Sequence, residues 1–123
     1  MAWTTVGTDQ PRGVVTTPGA AATPLLTYIV RAGQVGYVEF TILARNTATA
    51  DWLTYVVRGA VSEAAGAATW TPAEGPIIAG SVVGLTYTVA VAAAASTVVV
   101  TVTGLVATNI EWRCAVRAEH AEN

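Results

Sequence analysis

The feature that most constrains this chain is a two-residue alternation of side-chain character that recurs along most of its length. In residues 37–45, Val38, Phe40, Ile42 and Ala44 fall on one side, and Tyr37, Glu39, Thr41, Leu43 and Arg45 on the other. A β-strand turns successive side chains to opposite faces, whereas a helix repeats every 3.6 residues, so this segment reads as a half-buried strand. Residues 51–63 group Leu53, Tyr55, Val57, Gly59 and Val61 against Trp52, Thr54, Val56 and Arg58, with both sides fairly apolar. Leu85, Tyr87, Val89 and Val91 alternate with Thr86, Thr88 and Ala90. Val98, Val100 and Val102 alternate with threonines and Val99, and Ile110, Trp112, Cys114 and Val116 oppose Glu111, Arg113, Ala115 and Arg117. The runs 25–30, 66–70 and 77–83 read as shorter strands, the last two separated by the turn-forming Pro72–Pro76 stretch. The alanines at 92–95 are the one helix-favouring patch. They are too few to nucleate a helix and belong at a strand end or in a loop.

Seven or eight strands at roughly ten-residue spacing, with no amphipathic helix between them, predict an all-β fold, an antiparallel β-sandwich of jelly-roll or Ig-like type. At 123 residues, one domain with one real core is expected. Its predicted members are Val38, Phe40, Ile42, Leu53, Tyr55, Val57, Tyr87, Val89, Val100, Val102, Ile110, Trp112 and Cys114. Residues 1–24 hold three of the five prolines and sustain no period, so they are expected to form an extended N-terminal arm, followed by a β-sandwich domain at 25–119 and a C-terminal tail at 120–123. Trp3, Val6, Val14 and Val15 are too apolar for a segment that only solvates. They are expected to bind a partner, and removal of residues 1–20 is expected to leave the domain folded. No secretory leader is expected, and the most apolar window, 82–107, is broken by Gly84, Ser96, Gly104 and threonines, which is unlike a membrane helix.

Charge and chemistry narrow the function classes. All six basic residues are arginines, set against eight acids for a net charge of −2. Nucleic-acid binding rests on clustered cations that neutralise phosphates, and no large basic patch is expected here. Only 11% of residues are charged against a usual share of about 25%, which favours assembly with other chains. The one histidine, His120, lies in the polar terminal run and is not expected to act as a base. Cys114 shares the apolar side of its strand with Trp112 and reads as a small core residue, since a reactive thiolate needs cationic neighbours and exposure. Asp9, Asp51, Glu63 and Glu74 are scattered singly, without metal-ligand spacing, and the glycines form no phosphate-cradling pattern. The chain is therefore expected to be no enzyme and to carry no cofactor and no metal. Among the aromatics, Trp52, Trp70 and Tyr37 suit stacking on a sugar ring or, equally, filling a core or a subunit interface. Trp52 and Trp70 join Trp3, Val6, Val14 and Val15 as candidate partner-binding residues.

The stretches TYVVRGAVSEAAGAATW (54–70) and VTVTGLVATNIEWRCAVRA (100–118) resemble a group of short β-rich proteins and modules encoded among the structural genes of tailed bacteriophages. The shared features are an aromatic-Val-x-Arg strand, a Gly-Ala-Ala-Thr turn, the Gly80-Ser81 step, and a Val-x-Val-Thr-Gly hairpin leading to a strand of Asn-Ile-Glu-Trp type. They span roughly residues 23–118 and are turn and packing signatures. The resemblance implies a virion component: a capsid decoration protein, a head or tail fibre module, or a tail accessory subunit, located on the particle. Its implied partners are capsid or tail proteins and further copies of itself, as a homotrimer. A carbohydrate-binding module for host attachment, contacting a host glycan, is the alternative.

Overall fold

The computed structural model describes residues 2–6, 12–49, 51–73, 77–81 and 88–122; of these, 2–6, 88 and 120–122 are described by their backbone alone. The described residues contain no helix. They form β1 (Ala2–Val6), β2 (Arg12–Thr17), β3 (Ala22–Ile29), β4 (Val35–Asn46), β5 (Trp52–Ala64), β6 (Ala67–Pro72), β7 (Ile77–Gly80), β8 (Thr88–Ala94), β9 (Thr97–Thr103) and β10 (Ile110–Glu122). All pairings are antiparallel.

The three long alternating segments make the centre of a seven-stranded sheet, with β4 flanked by β10 and β5. Each edge of that sheet is split between two short strands. β2 pairs with the first half of β10 and β1 with its last residues, while β7 and β6 divide β5 in the same way. The second sheet has three strands, in the order β3, β9, β8. The fold is thus a β-sandwich, as the alternation predicts. β3 is bulged between Pro24 and Leu26, which buries both Leu25 and Leu26.

The core lies between the sheets and follows the register. Across β10, β4 and β5 the inward rows are Trp112–Ala44–Leu53, Cys114–Ile42–Tyr55 and Val116–Phe40–Val57. Val98, Val100 and Val102 of β9 close over them, fully buried. Phe40 sits at the centre, with the Tyr28 ring edge-on at 6.4 Å and Trp70 at 5.6 Å. Of the predicted core, Val38, Phe40, Ile42, Leu53, Val57, Val100, Val102, Ile110, Trp112 and Cys114 are buried, and Tyr55 and Val89 are half-buried against it. Tyr87 lies outside the described residues. The buried Gln34 side chain is satisfied: it donates to the Tyr28 hydroxyl at 3.2 Å and accepts from the Arg31 amide at 2.8 Å.

The ends of the chain differ from the sequence reading. The described parts of residues 1–24 are extended, but they pair within the chain. β2 runs along β10 from Thr17 opposite Ile110 to Arg12 opposite Ala115, which turns Val15 and Thr17 inward. Thr17 is buried and its Oγ1 accepts the indole N–H of Trp112 at 2.9 Å. Removing residues 1–20 would strip this edge from β10 and expose Trp112, so the expected tolerance of that deletion does not fit the fold. Gly13 makes the approach feasible, because a Cβ there would run into the Leu25 carbonyl of β3. At the other end β10 continues to Glu122, and the expected tail from residue 120 is paired backbone, with His120 opposite Gly36 and Thr4.

Candidate interaction surface

The outer face of the seven-stranded sheet collects the polar halves of the long alternating strands. Across β10, β4 and β5 its rows read Glu111–Arg45–Trp52, Arg113–Leu43–Thr54, Ala115–Thr41–Val56, Arg117–Glu39–Arg58 and Glu119–Tyr37–Ala60. β2 adds Val14 beside Arg113 and Arg12 beside Ala115. Five of the six arginines therefore share one face with three glutamates, a net of two positive charges on a chain whose total is −2. The remaining residues sum to four net negative charges in the sequence, and of their acids the side chains of Asp9, Glu74 and Glu122 lie outside the described residues.

Two of these arginines are paired on the face: Arg58 Nε lies 3.7 Å from Glu39 Oε2, and Arg113 Nε donates to Glu111 Oε1 at 3.3 Å. The Arg113–Glu111 pair is the more exposed and contributes about 0–1 kcal/mol, so it orients side chains more than it holds the fold. Among the described residues, Arg12, Arg45 and Arg117 form no ion pair. Two shallow depressions mark the face. One of about 310 Å³ is lined by Leu43, Ala44, Arg45, Glu111 and Arg113, and one of about 240 Å³ by Tyr37, Glu39, Arg58, Arg117 and Glu119.

Of the candidate partner-binding residues, the sheet brings Trp52 and Val14 onto this face, 47% and 68% exposed. Val15 and Trp70 are turned the other way and pack against the core, because their places in the alternation match those of Trp112 and Val61. Trp3 and Val6 belong to β1 by their backbone, and their side chains lie outside the described residues. Tyr37, 44% exposed, and Leu43, 47% exposed, join the surface. Tyr37 stands eight residues along β4 from Arg45, the partner of Trp52, or roughly 26 Å at about 3.3 Å per residue, so the two rings cannot grip one sugar. The arginine cluster was half visible in the sequence, since Arg45, Arg113 and Arg117 all fall on the polar sides of their strands. That these strands are neighbours depends on strand order, which alternation does not encode.

Other chemistry is quickly placed. Cys114 is buried, and desolvation pushes its thiol from an ordinary 9.0 up to about 12, so it stays protonated and unreactive at neutral pH. Among the described residues no three His, Cys, Asp or Glu side chains are grouped to hold a metal ion; Asp9 and Glu74 lie outside them. The side chain of His120 also lies outside the described residues. Among the described residues no helix is long and apolar enough to cross a membrane.

No protein-family model matches the chain. No curated protein matches it either. Among solved structures, the chain is similar to the tailspike protein of Acinetobacter phage vB_ApiP_P1, at 15% identity and a TM-score of 0.39. The alignment covers 94% of this chain and 22% of the tailspike, so the chain spans about a fifth of that protein's length.

Proposed function

We propose that this chain is a non-enzymatic structural component of a bacteriophage virion, a capsid decoration (cement) or fibre-type protein that binds the particle through subunit contacts and its N-terminal segment. The observation that carries this reading is the broad, shallow outer face of the large sheet, where Trp52, Tyr37, Leu43 and Val14 stand exposed among arginines. Aromatic residues and arginine are enriched where proteins meet, and a flat sheet face offers area where a catalytic site would need a cleft. The phage-like sequence stretches support it from another side: 54–70 is the β5–β6 hairpin and 100–118 runs from β9 through the loop into β10. These segments build the sheets themselves, as expected of a scaffold whose business is its surface. Trp3 and Val6 remain proposed contacts.

A second reading, a carbohydrate-binding module for host attachment, draws on Trp52, exposed in the same row as Arg45 and Glu111. The two part on copy number. If the chain is a decoration protein, quantitative proteomics and imaging of purified particles should find it repeated at regular lattice positions. A few copies at a tail tip would favour the glycan-binding reading, and absence from the particles would refute both.

A further inference from the structure

We infer that the arginine-bearing face of the large sheet docks onto an acidic protein surface, with Arg45 and Arg113 as its principal anchors. The inference deepens the virion reading, on which it rests for where such a surface would be found. Three observations point to this occupant. Among the described side chains the face sets five arginines against three glutamates, so its complement is rich in carboxylates. The cations are all arginine, whose planar fork binds a carboxylate with two parallel hydrogen bonds and is more weakly hydrated than lysine. Finally, Arg45 has no ion pair among the described residues and shares one depression with Arg113 and the exposed Leu43, which places a charged anchor beside an apolar one.

The same geometry argues against the nearest competitors. A second copy stacked face to face about a two-fold axis along the strands would set Arg45 against Arg45 and Arg117 against Arg58. With the axis across the strands at Thr41, Arg113 would meet Arg117 and Glu111 would meet Glu119. Either arrangement opposes like charges, which costs affinity. A polyanion such as nucleic acid or a sulfated glycan would bring phosphate or sulfate against Glu39, Glu111 and Glu119, which are interleaved with the arginines. A protein surface, mixing carboxylates with cations and apolar groups, can match all three kinds of neighbour.

The test uses the full chain, its charge-reversed form R45E/R113E and its conservative form R45K/R113K, with circular dichroism confirming that each is folded. Binding is measured to particles lacking this chain, to a poly-glutamate peptide, and to heparin as a sulfated glycan. The wild type should bind both the particles and the peptide. The reversed form should bind each at least about tenfold more weakly, with the lysine form in between, and wild-type binding should weaken as salt rises from about 50 to about 300 mM. If the wild type binds the particles and the reversed form binds them equally well, the docking inference is overturned while the virion reading stands. If peptide binding depends on the two arginines but no particle is bound, the face is confirmed as a carboxylate reader and the virion reading fails. Tighter binding of heparin than of the peptide through these arginines, or loss of wild-type self-association in the reversed form, would overturn the inference in favour of a glycan or a second copy.

Discussion

Thr17 and Trp112 stand 95 positions apart in the sequence and share one hydrogen bond at the floor of the core. The largest buried side chain carries a donor that has left water, and the hydroxyl of a residue at the end of β2 receives it. Thr17→Val keeps the shape and removes the acceptor, so it should cost about 1–3 kcal/mol, read as a lower midpoint in urea with an unchanged slope. Retained stability would mean that the bond contributes nothing net. Cys114, one pleat along β10, allows a pH prediction. Its thiol ionises near 9.0 when solvated and near 12 when buried, so the unfolded chain releases its proton first as pH rises. The stability associated with the neutral thiol is therefore fully present below about pH 9 and is lost as pH climbs toward about 12. Cys114→Ala should flatten that alkaline fall in denaturant titrations, and an unaltered slope would assign it to other groups. The burial of Cys114 and Trp112 was legible from alternation alone; the partner of the indole was not, because nothing local joins Thr17 to it.

Elements were legible in proportion to their length. β4, β5 and β10 each offer several periods of alternation, which assign their faces; only the end of β10, from residue 120, reads as a tail. β2 offers only Val15 and Thr17 as inward residues, between two prolines, and so reads as arm. Its place in the sheet is decided by a partner strand far away in sequence. The β5–β6 hairpin shows local signals agreeing with tertiary ones. Its two-residue turn, Ala65-Gly66, has positive φ at both positions, 54° and 85°, the mirror-image turn that matches strand twist. Glycine takes that conformation freely and alanine does not. The Glu63 carboxylate compensates by accepting the Gly66 amide through one oxygen and the Gly33 amide through the other, both at 2.6 Å, which ties this turn to the β3–β4 turn. Ala65→Asn should stabilise the fold by about 0.5–1 kcal/mol, since asparagine tolerates this backbone region. Glu63→Ala should destabilise it by about 1–3 kcal/mol, because two backbone donors lose a charged acceptor. Thermal unfolding of the two variants would check both signs, and equal midpoints would show the turn to be energetically silent.

At the scale of the whole molecule the two sheets have opposite surfaces. The large sheet carries the arginines, whereas β3, β8 and β9 contain no charged residue at all. The outer side of this small sheet shows Thr27 and Ile29 on β3, Ala90 and Ala92 on β8, and a half-buried Val99 between them. An uncharged sheet face with uncharged edge strands lacks the devices that keep soluble sheets apart, and a sandwich built this way invites contact with its own kind. We therefore propose the small sheet and its edges as the contact of a homotrimer, which would leave the arginine face for the proposed particle contact. Division of labour between the two sides makes a specific demand on variants. Thr27 and Ala92 are both exposed and both register against Val99, so T27K/A92K places two ammonium groups on the small sheet without touching the core. Surface changes of this kind usually shift stability by no more than about 0.5 kcal/mol. Light scattering should then show the wild type at three times the chain mass and the double variant at the monomer mass, with unfolding midpoints nearly equal. A wild type that stays monomeric at high concentration would refute the homo-oligomer, and a variant that remains trimeric would move the contact off the small sheet.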